Sequence, residues 1–247
     1  MIIEKDRLDQ ALVSRGLVVS RARARDLVRR GEVMVDGSVV VKPAARVGPH
    51  HDLTLAPGAG DYVSRGAIKL RAALDYFGLE PAGRIGLDIG SSTGGFTEVL
   101  LARGAIKVYA VDNGVGQLHA SLRTDQRVVS LEETDARGLT ANEISEPVGA
   151  LVADVSFISL VKVLPAAMRL VAPGCWLAAL IKPQFEAERT WLPKDGVITD
   201  ADIHAETVAA VANWLAGCEG WRVLGTLASP IKGGDGNSEF LIGAVHD

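Results

Sequence analysis

The chain of 247 residues is 48% hydrophobic and 23% charged, which is typical of a folded protein of one or two domains rather than a disordered one. Its longest charge-free stretches span about twelve residues, too few to cross a bilayer, and the first residues lack the apolar core of a signal peptide. Cys175 and Cys218 fit neither a metal-binding spacing nor a disulfide framework. We therefore expect a cytoplasmic protein with reduced cysteines, no metal and no membrane partner, and no oligomer is indicated.

The net charge of −4 conceals an asymmetry between the two parts of the chain. Residues 1–59 carry ten Lys and Arg against seven Asp and Glu, whereas residues 60–247 carry sixteen against twenty-three. A small basic segment joined to a larger acidic one indicates that any binding to a polyanion begins in the N-terminal part.

The basic segment starts with the pattern of two short helices. Apolar residues at helical spacing begin at Leu8, and Gly16 is placed to end that helix. Ser20 is the expected N-cap of a second helix, which Gly31 closes.

A hairpin follows the second helix. Asp-Gly at 36–37 separates the valine-rich runs 33–35 and 39–41, which is a strong signal for a type I′ turn. A further short strand is expected at 53–55, and the composition of 56–60 is that of a linker. These elements predict a small α+β domain over residues 1–59, with a linker over 60–65.

Residues 66–247 alternate between helical segments and apolar runs of strand length. The runs are 85–89, 107–111, 149–153 and 176–181, and the helical segments include 96–103, 115–123 and 159–170. Strands buried on both faces and joined by helices predict a parallel α/β sheet. The last two predicted strands, 221–227 and 238–244, have only a loop between them, so the final strand is expected to be antiparallel. This arrangement points to the Rossmann-like sheet of class I S-adenosylmethionine (SAM) methyltransferases.

A glycine-rich loop follows the first strand of this sheet. Asp88 lies two residues before Gly90, and Gly94 and Gly95 open the next helix. The spacing fits neither the dinucleotide fingerprint nor a P-loop. Because an acidic residue beside a loop with no phosphate to bind suits a cationic ligand, we predict that SAM binds here.

Two further carboxylates follow strands of the same sheet. Asp112 ends the second strand, where it can accept both hydroxyls of a nucleoside ribose. Asp135 follows the third strand, 127–131, and is either an acceptor for an adenine amino group or an ordinary exposed loop acid. The predicted cofactor site comprises Asp88, Gly90, Ser91, Ser92, Thr93, Gly94, Gly95, Phe96, Asp112, Asn113 and Asp135.

Three more charged residues lie at strand ends. Asp154 and Lys182 each follow an apolar run, and Glu239 begins the final strand. In a parallel sheet with an antiparallel last strand, all three positions fall on one edge. We therefore expect them to converge on one site.

Several motifs resemble the TlyA (hemolysin A) family, in which an S4-type RNA-binding domain is fused to an FtsJ-type ribose 2′-O-methyltransferase. The S4-like motifs are Arg7-Leu-Asp9 and Gly31-x-Val-x-Val-Asp-Gly37, with Ser20-Arg-x-x-Ala-Arg-x-Leu27 between them. The methyltransferase-like motifs lie at 63–70, 88–97, 153–160, 181–186 and 236–241. The resemblance covers nearly the whole chain.

This resemblance implies a catalytic tetrad at Lys69, Asp154, Lys182 and Glu239. Lys69 would otherwise be interpreted as a surface residue of an amphipathic helix. The implied partner is ribosomal RNA or a ribosomal subunit, and the implied target is a cytidine ribose. The residues expected to contact RNA are Arg7, Arg21, Arg23, Arg25, Arg29, Arg30, Lys42 and Arg65.

Three alternatives from other classes fit the sequence less well. A non-catalytic S4-type RNA-binding protein would not need an intact tetrad, and a membrane-active hemolysin would need a spanning or strongly amphipathic segment. A base methyltransferase typically has an Asn-Pro-Pro-Tyr-like motif or a catalytic cysteine, whereas the fourth strand here ends in Asp154-Val-Ser-Phe157. Whether Lys182 acts as a neutral base or as a cation is left open by the sequence.

Overall fold

The computed structural model describes residues 5–56, 62–193 and 195–247. The chain divides into two compact units, Met1–Arg65 and Gly66–Asp247, which we call the N-terminal and C-terminal units. Most of the glycine-rich segment predicted to be a linker falls within 57–61, which lies outside the described residues.

In its described residues, the N-terminal unit packs two helices against short strands. The helices are α1 (Leu8–Ser14) and α2 (Arg21–Arg29), and the strands are β1 (Asp6–Arg7), β2 (Val33–Val35), β3 (Ser38–Val39), β4 (Arg46–Val47) and β5 (Leu53–Leu55). β2 pairs with β3 and β5, and β1 pairs with β4, all antiparallel. The core combines the apolar faces of both helices with inward side chains of β2, β4 and β5.

The predicted ends of α2 are confirmed. Ser20 Oγ accepts a hydrogen bond from Arg23 N at 3.2 Å, which satisfies one of the unpaired N–H groups of the first turn. Gly31, just after the helix, has a φ of 68°, the left-handed value at which glycine commonly ends a helix.

The predicted hairpin is confirmed, with a shorter second strand. Asp36 and Gly37 have φ values of 51° and 77°, as a type I′ turn requires. β3 ends at Val39 rather than at residue 41, because the chain turns soon afterwards: Ala45 N donates to Lys42 O at 2.9 Å. The two-residue strands β1 and β4 were not predicted, since two residues carry no periodic pattern.

The C-terminal unit has one large sheet in its described part, with seven strands covered by helices. The strands are β6 (Ile85–Ile89), β7 (Lys107–Val111), β8 (Val128–Leu131), β9 (Val148–Ala153), β10 (Val171–Ile181), β11 (Trp221–Ala228) and β12 (Phe240–His246). The helices are α3 (Gly66–Phe77), α4 (Gly95–Ala102), α5 (Ala120–Arg123), α6 (Leu160–Met168), α7 (Pro183–Glu186) and α8 (Ala201–Ala216). β12 runs antiparallel to both of its neighbours, and the pairs from β10 to β8 are parallel. The predicted fold class is therefore confirmed.

Some predicted boundaries in this unit are wrong. The helix expected over 115–123 is formed only over α5, because Gln117 N and Leu118 N donate instead to the Glu132 carboxylate. β10 begins five residues before the predicted 176, and α8 was not predicted. None of the helices within the described residues is long and apolar enough to span a membrane.

Candidate functional site

The charged residues predicted at strand ends lie along one edge of the large sheet. The strand order is β11-β12-β10-β9-β6-β7-β8, so adjacent strands bring together distant parts of the chain. From β12 to β7 the edge carries Glu239, Lys182, Asp154, the loop at Gly90, and Asp112. Glu239 joins this edge because β12 is antiparallel, with Phe240 opposite Ile181. The chain order reverses beside β6, the position at which such sheets bind ligands.

Four charged side chains at this edge form a chain of ion pairs, which we call the Lys–Asp–Lys–Glu cluster. Lys182 Nζ lies 2.7 Å from Asp154 Oδ1, and Lys69 Nζ, on α3, lies 2.6 Å from Glu239 Oε2. Lys69 Nζ is also 4.0 Å from Asp154 Oδ2, which links the two pairs. The side chains are only 3% to 19% exposed, and their formal charges cancel. The predicted tetrad residues thus meet in one place.

Neighbouring residues fix the cluster from both sides. Ser156 Oγ accepts a hydrogen bond from Lys182 Nζ at 2.9 Å. Glu239 packs against Gly233, where an added Cβ would lie 2.6 Å from Glu239 Oε1. Asn237 is buried and bonds the backbone before α8 through both ends of its carboxamide. These contacts hold the loop before β12 and, with it, the position of Glu239.

The glycine loop packs closely between β6 and its neighbours. Gly90 N and Ser91 N both donate to Val111 O, at 2.9 and 3.0 Å. An added Cβ on Gly90 would lie 2.6 Å from Asp154 O, and φ there is 81°, so both space and conformation require glycine. Gly94, with a φ of 97°, forms the N-cap of α4. The loop therefore offers backbone, rather than side chains, to a ligand.

Asp88 is fully buried in β6, next to this loop. Its Oδ2 accepts a hydrogen bond from Thr97 Oγ1 at 2.7 Å, and among the described residues its Oδ1 has no hydrogen-bond partner. Burial raises the pKa of Asp88 to about 7, and the charge of Asp154 acts in the same direction, while the Thr97 hydrogen bond opposes the shift. A buried carboxyl oxygen without a protein partner fits a site for a polar or cationic ligand.

Asp112 lies just after β7 and braces the same loop. Its Oδ2 accepts a hydrogen bond from Ser92 N at 2.8 Å, and its Oδ1 accepts one from Gly114 N at 2.7 Å. Ser92 has a φ of 46°, which is uncommon for a residue with a side chain. Each carboxylate oxygen keeps a lone pair for a ligand hydroxyl, so the two contacts do not prevent ligand binding.

Asp135 follows β8 on a loop that contacts Asp112, because the amide of its neighbour Thr134 donates to Asp112 O at 3.0 Å. The Asp135 carboxylate binds the Arg137 guanidinium, with 2.6 Å between Oδ2 and Nη2, and its side chain is 51% exposed. The Arg137 hydrogen bonds lower the pKa of Asp135 to about 2. Asn113 is exposed beside Asp112.

Two residues near the cluster were missed in the sequence. Ser156 contacts Lys182, and Phe157 is 90% exposed with a φ of 64°. The Phe157 ring lies 5.0 Å from that of Phe185. An exposed aromatic residue in a left-handed conformation is strained, and such residues concentrate at functional sites. The sequence signal that could have identified Ser156 and Phe157 is their position just after the end of β9.

In the N-terminal unit, the arginines of α2 and its C-cap divide into two groups by their exposure to solvent. The exposed group, at four-residue spacing on one face, is Arg21, Arg25 and Arg29. Arg23 and Arg30 lie off this face and form ion pairs with Asp26. Arg30 also donates to the backbone oxygen of Tyr62 at 2.5 Å. The exposed group, called the arginine stripe below, is therefore the part of α2 best placed to meet a polyanion.

The remaining predicted RNA contacts lie elsewhere in the same unit. Arg7 Nε lies 2.9 Å from Asp9 Oδ1. Lys42 is exposed, and the turn that it begins lies beside the start of α1, because Asp9 N donates to Pro43 O at 3.0 Å. Arg65 is partly buried at the end of the unit.

The sequence matches two family models. A model of the S4 domain matches residues 6–53, and a model of the FtsJ-like methyltransferases matches residues 62–245. A Mycobacterium tuberculosis protein, 16S/23S rRNA (cytidine-2′-O)-methyltransferase TlyA, is 47% identical over 96% of this chain and 88% of its own length. The chain belongs to the TlyA family of FtsJ-like methyltransferases.

Other relatives support the assignment to the TlyA family. Hemolysin A of Brachyspira hyodysenteriae is 38% identical over 95% of this chain and 98% of its own length. The solved structure of a candidate hemolysin from Streptococcus thermophilus is also similar, with a TM-score of 0.75 and 37% sequence identity. The match covers 99% of this chain and 89% of that one. The resemblance inferred from the motifs is confirmed, and the chain has the S4 and methyltransferase domains of a TlyA-family enzyme.

The buried carboxyl of Asp88 predicts a pH-dependent stability. Between its usual pKa of 3.8 and the folded value of about 7, the folded protein holds a proton that the unfolded chain has released. Raising the pH through this window therefore favours unfolding, by up to about 1.4 kcal/mol per pH unit, and the effect levels off above pH 7. Asp88→Asn, which stays neutral, should remove this contribution. Urea unfolding from pH 4.5 to 8 measures the free energy of unfolding of wild type and Asp88→Asn. The same pH dependence in both proteins would contradict the raised pKa of Asp88.

Proposed function

We propose that the protein transfers a methyl group from SAM to the ribose 2′-hydroxyl of a cytidine in ribosomal RNA. The observation that carries the proposal is the Lys–Asp–Lys–Glu cluster, which lies beside the glycine loop at the ligand-binding edge of a methyltransferase sheet. The Mycobacterium tuberculosis relative is named as an rRNA (cytidine-2′-O)-methyltransferase, which supports the 2′-hydroxyl as the methylated group and cytidine as the nucleoside. The exposed Phe157 supports a nucleic-acid substrate, because bases stack on aromatic rings.

The residues at the glycine loop fit SAM. Two carboxylates supply acceptors for a cationic amino acid and for a ribose: Asp88, whose buried Oδ1 has no hydrogen-bond partner in the described part of the chain, and the partly buried Asp112. Gly90 lets the backbone approach closely, since no Cβ fits there. When bound, SAM supplies an electrophilic methyl group. A cation beside Asp88 would favour its ionised form.

The cluster can act on the other reactant. A ribose hydroxyl is a poor nucleophile, so it must be held in line with the methyl group and must lose its proton during transfer. Lys182 has its Nζ fixed by Asp154 and Ser156, at 2.7 and 2.9 Å. We infer that this amine contacts the hydroxyl, while Lys69 adds a second positive charge beside it.

Two routes for the hydroxyl proton fit this geometry. Either a neutral Lys182 amine accepts it, or both lysines stay cationic, stabilise the negative charge developing on the oxygen, and let the proton pass to solvent. Each lysine has a carboxylate within 2.7 Å, and such partners stabilise the ammonium form. We therefore favour the second route.

The N-terminal unit is proposed to dock the RNA. Its arginine stripe on α2 is exposed, whereas the acidic excess of the chain lies in residues 60–247. Guanidiniums on one helix face suit phosphate contacts, which set affinity and register without reading sequence. The two units would then divide RNA binding from methyl transfer.

Methyl transfer is tested by incubating the protein with tritiated SAM and rRNA from a strain that lacks its gene, followed by mapping of 2′-O-methylation. Wild type should label a cytidine ribose. Lys182→Ala should lose transfer while SAM and RNA binding persist, because the amine acts on the reacting hydroxyl. Lys162→Ala, which removes an exposed lysine of α6, is the matched control and should stay active. Label on a base, or Lys182→Ala turnover within tenfold of wild type, would refute the proposal.

SAM binding is tested by calorimetry on Asp112→Ala. We expect affinity to fall by roughly 1–3 kcal/mol, the scale of leaving buried polar partners unpaired. Asp125→Ala, which removes a partly buried acid paired with Arg127, should bind SAM as wild type does. Equal affinities in all three proteins would remove Asp112 from the cofactor site.

A further inference from the structure

The side chain of Asp9 is completely buried in the N-terminal unit, although it carries a carboxylate. Arg7 reaches it with Nε at 2.9 Å and Nη2 at 3.3 Å, and Arg21 reaches the same carboxylate with Nη2 at 3.2 Å. The two arginines come from different elements, since Arg7 precedes α1 and Arg21 begins α2. One buried acid thus fixes two guanidiniums that the chain would otherwise hold separately.

The arginines remain open to solvent while the acid is not. Their side chains are 38% and 49% exposed, against 0% for Asp9. The surface therefore presents the two cations without the negative charge that holds them. Both guanidiniums contact Asp9 Oδ2, so their Nη2 atoms lie close enough for one phosphate to meet both. A guanidinium held in place loses less conformational freedom when it binds a phosphate than a mobile one does.

Asp26 on α2 provides a contrast within the same unit. It also pairs with two arginines, Arg23 and Arg30, but its own side chain is 43% exposed and Arg30 is only 13% exposed. An approaching phosphate would therefore meet the exposed Asp26 carboxylate as well as the arginine cations. Asp26 therefore serves as a matched control, because Asp→Asn changes the net charge equally at both sites.

We propose that Asp9 is a positioning residue that presents Arg7 and Arg21 as a clamp for one backbone phosphate of the RNA. This inference rests on the proposed docking of RNA by the N-terminal unit. Removing an acid ordinarily strengthens binding to a polyanion, whereas removing a positioning acid weakens it. The sign of the effect therefore separates positioning from general electrostatics.

The test is filter binding of the full-length protein to deproteinised 23S rRNA at several salt concentrations. Asp9→Asn should weaken binding about tenfold and flatten the salt dependence by about one unit of slope for a lost phosphate contact. Asp26→Asn should bind as tightly as wild type or more tightly. In a background of Arg7→Gln with Arg21→Gln, Asp9→Asn should have no further effect. Unchanged or tighter binding by Asp9→Asn would overturn the proposal.

A double variant covers the case in which Asp9→Asn does not fold. Arg7→Lys with Arg21→Lys keeps both charges at partly exposed positions but removes the fork geometry. A clamp predicts at least a fivefold loss of affinity at roughly unchanged net charge, and wild-type affinity would contradict it. Calorimetry with SAM should show no change in any variant. Absence of RNA binding by the wild type would refute the docking role itself, which is a different outcome from failure of the Asp9 variants.

Discussion

The interaction on which the site depends is the pairing of two lysines with two carboxylates that are nearly shielded from water. Isolated, any one of these four charges would be very unfavourable at its observed burial. Paired, they form a neutral cluster in which Asp154 lies between both lysines, at 2.7 and 4.0 Å. Buried ion pairs of this kind seldom add to stability compared with apolar side chains. Their presence at the ligand-binding edge of the sheet therefore points to chemistry.

The sheet topology is what brings these charges together. Glu239, Lys182 and Asp154 are distant in sequence, yet β12, β10 and β9 are adjacent strands. The antiparallel direction of β12 is essential, because a parallel last strand would place Glu239 at the opposite edge of the sheet. The glycine loop adjoins the same arrangement, since the backbone of Gly90 packs directly against Asp154 O. The glycine loop and the cluster are therefore in direct contact at one edge of the sheet.

Much of this could be predicted from the sequence because strand ends follow a simple geometric rule. Apolar runs followed by Asp154 and Lys182 mark the ends of buried parallel strands, and the structure places both at the same edge. Capping residues such as Ser20, and the turn at 36–37, were readable because their chemistry is local. A feature that depends only on the residues of one helix or turn can be predicted without knowing the fold.

Features that depend on packing between helices and strands could not be predicted from the sequence. Lys69 lies on a helix whose pattern gives no sign that it reaches Glu239, and it was found through the family resemblance. The burial of Asp9 beneath two arginines is likewise a property of the folded unit. The pairing of Asp135 with Arg137, two residues further on, is also a property of the folded loop that the sequence pattern does not show. Local position suggests where a charge lies, but its partners decide what it does.

The central claim, that the cluster is kept for methyl transfer rather than for stability, is tested most directly by a double-mutant cycle on Lys69 and Glu239. Lys69→Met or Glu239→Gln alone should destabilise the protein by about 3–5 kcal/mol, since each leaves the buried cluster with one uncompensated charge. The double variant should return to within about 1 kcal/mol of wild type in urea unfolding, yet transfer methyl groups at least about a hundredfold more slowly. A double variant that methylates rRNA at the wild-type rate, or that is no more stable than the single variants, would contradict the account.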